Sequence, residues 1–76
     1  MSTNHDIEEI YVYLLGENVD VWRPVKAKKI EQGMYRILEQ AYDRDVEKWE
    51  FEPGQMVICE YVDTREGKIL AAVRKA

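Results

Sequence analysis

The chain has 76 residues, 46% of them hydrophobic and 34% charged, with a net charge of -4, a balance that marks a globular chain rather than a disordered one. A domain of this size buries only ~60% of its unfolded surface, so its two tryptophans, five tyrosines and one phenylalanine are needed for the core. The single cysteine, Cys59, excludes an internal disulfide. No apolar stretch approaches the ~20 residues of a membrane span, so a cytoplasmic monomer without contact to membranes is expected.

Charge is unevenly distributed. Residues 1–21 carry five acids and no base, whereas residues 22–36 carry five bases (Arg23, Lys26, Lys28, Lys29, Arg36) against one acid. Residues 37–52 reverse the sign again, with six acids against Arg44 and Lys48. The overall acidity argues against a dedicated nucleic-acid binder, which needs positive surface to neutralise phosphates.

The polar residues 1–6 read as a disordered N-terminal tail, and 7–76 as a single small β-barrel domain. Ile7 to Leu15 reads as the first strand. Ile10, Val12 and Leu14 form one row and Tyr11, Tyr13 and Leu15 the other, which predicts a strand covered on both faces. Gly16-Glu17-Asn18 reads as a short hairpin loop in which Gly16 and Asn18 tolerate positive φ. From Val19 the alternation is clean. Val19, Val21, Val25 and Ala27 share a face interrupted by Arg23, and Asp20, Trp22, Pro24 and Lys26 share the other. Pro24 gives no N–H to a ladder, so it belongs at an edge, a bulge or a bend. A long strand bent near Arg23-Pro24 serves two sheets of a small barrel.

Gln32-Gly33 reads as a turn before a short strand from Met34 to Leu38. Residues 40–48 are open to two readings. Leu38, Tyr42, Val46 and Trp49 recur at near-helical spacing, which allows a short helical turn, while the acidic, uncapped run equally suits a charged loop. Glu52-Pro53-Gly54-Gln55 carries the type II turn signature. Met56 to Val62 is a strand with Val57, Cys59 and Tyr61 on one side. Glu66-Gly67 marks a hairpin, and Lys68 to Arg74 is the last strand. Five or six short strands at this spacing give an all-β small barrel or rolled sheet.

The run VYLLGENVDVWRPV at Val12 to Val25, with GMYRIL at Gly33 to Leu38 and WEFEPGQMVICE at Trp49 to Glu60, resembles a group of small stand-alone bacterial proteins of unknown function. Their shared signature is the V-W-R-P-V motif, and the resemblance covers about residues 10–62. It implies a Src-homology-3-like barrel and carries over no catalytic residue. The usual Gly-rich loop of the group has Asn18 here.

No residue set supports catalysis or metal binding, and no cofactor is expected. His5 and Cys59 are single and far apart, whereas zinc takes about four N or S ligands. Cys59, inside a strand with no histidine near it in sequence, reads as a small buried hydrophobe rather than a nucleophile. Asp43, Asp45 and Glu47 read as a solvated charge run.

Two surfaces remain. Trp22, Arg23, Tyr35 and Trp49 suggest a protein-binding surface, because Trp and Arg are over-represented at interface hot spots and aromatic-lined grooves take proline-rich peptides. The structural alternative has Trp22 covering one barrel end, packed on Tyr35 or Trp49. Lys26, Lys28 and Lys29 suggest a weak nucleic-acid or ribosome-associated ridge, an idea that rests on fold analogy. Its structural alternative is pairing with the acidic 37–52 segment. The leading expectation is a non-enzymatic module that binds a protein partner.

Overall fold

Five strands form where the sequence alternates between side chains that fill a core and side chains that face away from it. In the computed structural model, which describes residues 7–76, β1 runs Ile7–Tyr13, β2 Trp22–Glu31, β3 Met34–Ile37, β4 Met56–Thr64 and β5 Gly67–Lys75. The tail expected over 1–6, with His5, lies outside the described residues. Successive strands pair antiparallel, and β5 returns to β1 through a parallel contact between Tyr11 and Ala71. The sheet thereby closes. The result is an all-β closed barrel of five strands, consistent with a Src-homology-3-like small barrel, and no helix forms among the described residues.

The core takes one row from each strand. Ile10 and Val12 come from β1, Val25 and Ala27 from β2, Tyr35 and Ile37 from β3, Val57 and Cys59 from β4, and Ala72 from β5. The expected double cover of β1 is only half realised. Ile10, Val12 and Leu14 are buried, but Tyr11 and Tyr13 are half-buried and Leu15 is exposed. Two other rows also run out before the sequence pattern does. Val19 is 64% exposed because β2 begins at Trp22, and Tyr61 is 69% exposed. The reason at Tyr61 is topological. Pairing of β3 with β4 ends at Ile58 and that of β5 with β1 at Ala71, opposite Glu60, so from Tyr61 onward the β4–β5 hairpin is only two strands wide.

The long second strand shows why Pro24 is tolerated. The Lys26 N–H bonds the Gln40 side-chain oxygen at 3.0 Å, so it points away from β1. Pro24, two residues earlier, turns its nitrogen to the same side. β3 joins β2 only from Ala27 onward, so the missing N–H of Pro24 breaks no ladder bond. The strand does serve two partners, β1 over Trp22–Lys28 and β3 over Ala27–Glu31. Its irregularity, however, lies between Lys29 and Glu31 rather than at the expected Arg23-Pro24.

The connection from β1 to β2 is longer than the predicted Gly16–Asn18 loop. It is closed by a bond of 3.0 Å from the Leu14 N–H to the Val21 carbonyl, and Asn18 keeps a negative φ. Gln32-Gly33 and Pro53-Gly54 turn as expected. Gly54 has φ +92, and the Gln55 N–H reaches the Glu52 carbonyl at 3.1 Å, as a type II turn requires. The last hairpin turns on Arg65-Glu66, between paired Thr64 and Gly67.

Residues 40–48 form a loop containing a single turn. The Glu47 N–H reaches the Asp43 carbonyl at 2.9 Å, and the Asp45 N–H reaches the Asp43 side chain at 2.9 Å. One such bond does not repay helix nucleation. The whole segment after β3 is tied to the barrel instead. Leu38 N–H bonds the Lys26 carbonyl at 3.0 Å, Leu15 N–H the Lys48 carbonyl at 2.7 Å, and Glu50 N–H the Tyr13 carbonyl at 2.9 Å. Gln40 completes the seam, accepting from the Lys26 N–H and donating to the Lys26 carbonyl at 2.9 Å. Its amide occupies the edge of β2 where a neighbouring strand is missing.

Two substitutions separate seam from core. Gln40→Ala is expected to lower unfolding free energy in urea by about 1 kcal/mol, the net worth of a hydrogen-bonded group, and to speed hydrogen exchange at the Lys26 amide. Ile37→Ala, a fully buried side chain, is expected to cost about 2–5 kcal/mol and to leave local exchange at Lys26 no faster than global unfolding dictates.

Candidate functional site

Strand parity decides where the motif residues point. Trp22 and Arg23 are consecutive in β2, so they face opposite sides of the sheet. Arg23 falls on the inward row, at the end of the core. Its Nε donates to Glu47 Oε1 at 3.1 Å, and its Nη1 donates to the Pro24 carbonyl at 2.7 Å. The same Glu47 oxygen accepts the indole N–H of Trp49 at 2.9 Å.

Trp49 is only 3% exposed and plugs the barrel end. Its ring stacks on Tyr42 with centroids 4.0 Å apart and an interplanar angle of 17°, and the Arg23 guanidinium lies 5.7 Å from its centre. The hydrogen bond from Trp49, and after it the bond and charge of Arg23, hold the Glu47 carboxyl below the ordinary glutamate range, against an opposing push from burial. Arg23 and Trp49 are thus drawn together, as a clamp that closes the fold.

Tyr35 stands apart from both. It is 4% exposed within the core, and its hydroxyl donates to Glu8 Oε1 at 3.1 Å. Burial first, and then the bond to Glu8, push its hydroxyl up to about 12. The four residues grouped in sequence therefore do not make one surface. Tyr35 and Trp49 are interior, Arg23 is half-covered, and Trp22 packs on neither of the partners expected for it.

Trp22 meets Tyr13 instead, its direct cross-strand partner, edge to face at 5.2 Å and 67°. The Tyr13 hydroxyl donates to Asp20 Oδ1 at 2.8 Å, and that bond is the main reason the hydroxyl titrates above its ordinary value. On this outward side lies a cleft of about 320 Å³, lined by Tyr11, Asp20, Val21, Trp22, Thr64, Glu66 and Ile69. It lies between the β1–β2 pair and the tip of the β4–β5 hairpin. Thr64 braces that tip. Its hydroxyl donates to the Gly67 carbonyl at 2.7 Å and accepts the Glu66 N–H at 3.2 Å.

Of the residues that line this cleft, the sequence singles out Trp22 alone. Tyr11 was legible from its outward row, whereas Thr64, Glu66 and Ile69 are brought in by the return of β5 to β1, for which the sequence carries no local signal.

The basic ridge is divided by the same parity rule. Lys26 and Lys28 point outward, while Lys29 sits on the other row, registered with Tyr35 but exposed past the end of the core. Lys26 lies opposite Glu9 on β1. The acidic 37–52 segment pairs with Arg23 through Glu47, not with these lysines. Cys59 is buried, and burial pushes its thiol up to about 11, which leaves little thiolate at neutral pH.

No helix among the described residues is long and apolar enough to cross a membrane. No family model matches this chain, and no match to a curated protein or to a solved structure emerges.

Glu47 gives a pH test of the clamp. Its folded pKa lies below the ordinary 4.5, so its contribution is complete above that pH and is lost as the pH falls through the folded value. Glu47→Gln is expected to lower the thermal midpoint at pH 7. The gap to the parent protein should close on acidification below pH 4.5, and a gap independent of pH would show that the carboxylate charge is not what the clamp uses.

Proposed function

We propose that this protein is a non-enzymatic binding module whose cleft at Trp22 takes an extended, proline-containing, cationic segment of a protein partner. The observation that carries this reading is the pairing of aromatic walls with an acidic rim. Tyr11 and Trp22 supply flat apolar faces, and Asp20 and Glu66 supply negative charge beside them. Flat aromatic faces fit a preformed polyproline II segment, which loses little entropy on binding. They also attract the guanidinium of an arginine, worth about 0.5–1 kcal/mol at an exposed site. The bond from Tyr13 fixes the Asp20 carboxylate in place, so a ligand finds that charge already oriented.

The V-W-R-P-V run at Val21 to Val25 supports kinship with the small bacterial proteins that share it, and a cytoplasmic setting suits a chain whose one cysteine is free.

Amide-shift mapping with a short arginine- and proline-rich peptide tests the reading. Shifts are expected at Tyr11, Asp20–Trp22 and Thr64–Ile69, weakening with salt. Trp22→Ala is expected to abolish them while costing less stability than Ile37→Ala, because Trp22 lies outside the core cluster. If Trp22→Ala unfolds the domain as readily as the core truncation, Trp22 is structural and the proposal loses its anchor.

A further inference from the structure

We propose that the outward face of β2, β3 and β4 around Lys28 and Arg36 is a second docking surface, shaped for an acidic amphipathic peptide segment. Lys28 and Arg36 are registered directly opposite one another, and both are exposed. Directly opposed residues on one face hold their Cβ atoms about 4.5–5.5 Å apart, and like charges so placed destabilise a sheet. Among the described residues neither cation enters an ion pair. Of the cations on either side of them, Arg74 bonds Glu60 at 3.2 Å and Lys26 lies in register with Glu9. The two directly opposed cations share the centre of the face, where a bound carboxylate relieves their repulsion and finds a bidentate donor in Arg36.

The remaining surface there is apolar. Met56 lies beside Arg36, Met34 beside Ile58, and all three apolar side chains are half-buried. Methionine is unbranched and adapts to the shape of a ligand. A peptide that alternates acidic and aliphatic residues meets both features at once. A nucleic acid does not, because this patch offers no aromatic side chain on which a base can stack, and stacking carries much of single-strand recognition. Trp22 lies in the same outward row of β2, but six residues from Lys28, about 20 Å along the strand.

The test is titration of the full chain with three probes: a short peptide alternating glutamate and leucine, an all-glutamate peptide of equal length, and a short single-stranded RNA. The alternating peptide is expected to shift the amides of Lys28, Met34, Arg36, Met56 and Ile58, and to bind more tightly than the other two. Lys28→Glu is expected to weaken that binding at least about tenfold while raising the thermal midpoint, because it turns a like-charge pair into an opposite one. Trp22→Ala is expected to leave the binding unchanged, which separates this surface from the cleft. Equal or tighter binding of RNA or of all-glutamate at the same residues overturns the proposal, as does a Lys28→Glu variant that keeps its affinity or melts at a lower temperature.

Discussion

Burying a tryptophan at the open end of a small barrel creates one obligation: its indole N–H needs an acceptor away from bulk water. Glu47 meets it with a carboxylate, at 2.9 Å. A partly buried carboxylate in turn needs a cation, and Arg23 supplies one from the inward row of β2. An arginine among Val21, Val25 and Ala27 interrupts an otherwise apolar row, and the interruption is explained by what the plug requires. With Trp49 seated, Tyr42 stacks on it, the backbone of residues 48–50 bonds to Leu15 and Tyr13, and the segment after β3 is fastened across the barrel. Removing Glu47 leaves the indole N–H of the buried Trp49 unpaired, which costs more than the bond itself contributed.

The same segment solves a second problem, at the open edge of β2 around Pro24. A strand whose outer edge lacks a neighbour leaves backbone groups unpaired and invites another chain to add to it. Over Trp22–Lys26 this edge has no strand beside it. Proline removes one donor from that edge, and the side-chain amide of Gln40 satisfies both polar groups of Lys26. Plug and edge cover are thus two functions of one irregular stretch, and neither requires it to be helical.

This explains where the sequence could be read and where it misled. Strand rows, the Pro53-Gly54 turn and the Gln32-Gly33 turn are local signals, and the structure follows them. The near-helical spacing of Leu38, Tyr42, Val46 and Trp49 is not a helix signal, because Val46 points to solvent while Tyr42 and Trp49 meet through stacking. Alternation at Val19 and Tyr61 continues past the point where a neighbouring strand ends, and a row without a neighbour stays exposed. For the candidate sites, parity was legible throughout. It separates Trp22 from Arg23, and Lys28 from Lys29. Register was not, since the opposition of Lys28 and Arg36 depends on a shift between Lys29 and Glu31 that leaves no compositional mark.

The outward row of β2 therefore has a different chemistry at each end. Near Trp22 it is aromatic and bordered by acids. Near Lys28 it is cationic and bordered by half-buried methionines. A barrel that folds on its inward rows leaves its outward rows free to differ in this way, because their side chains contribute little to the core. Two like charges in register weaken a sheet slightly, whereas Trp22, half-buried against Tyr13, packs outside the core cluster. On the two readings proposed above, each end of the row is where a partner of opposite charge and matching shape docks.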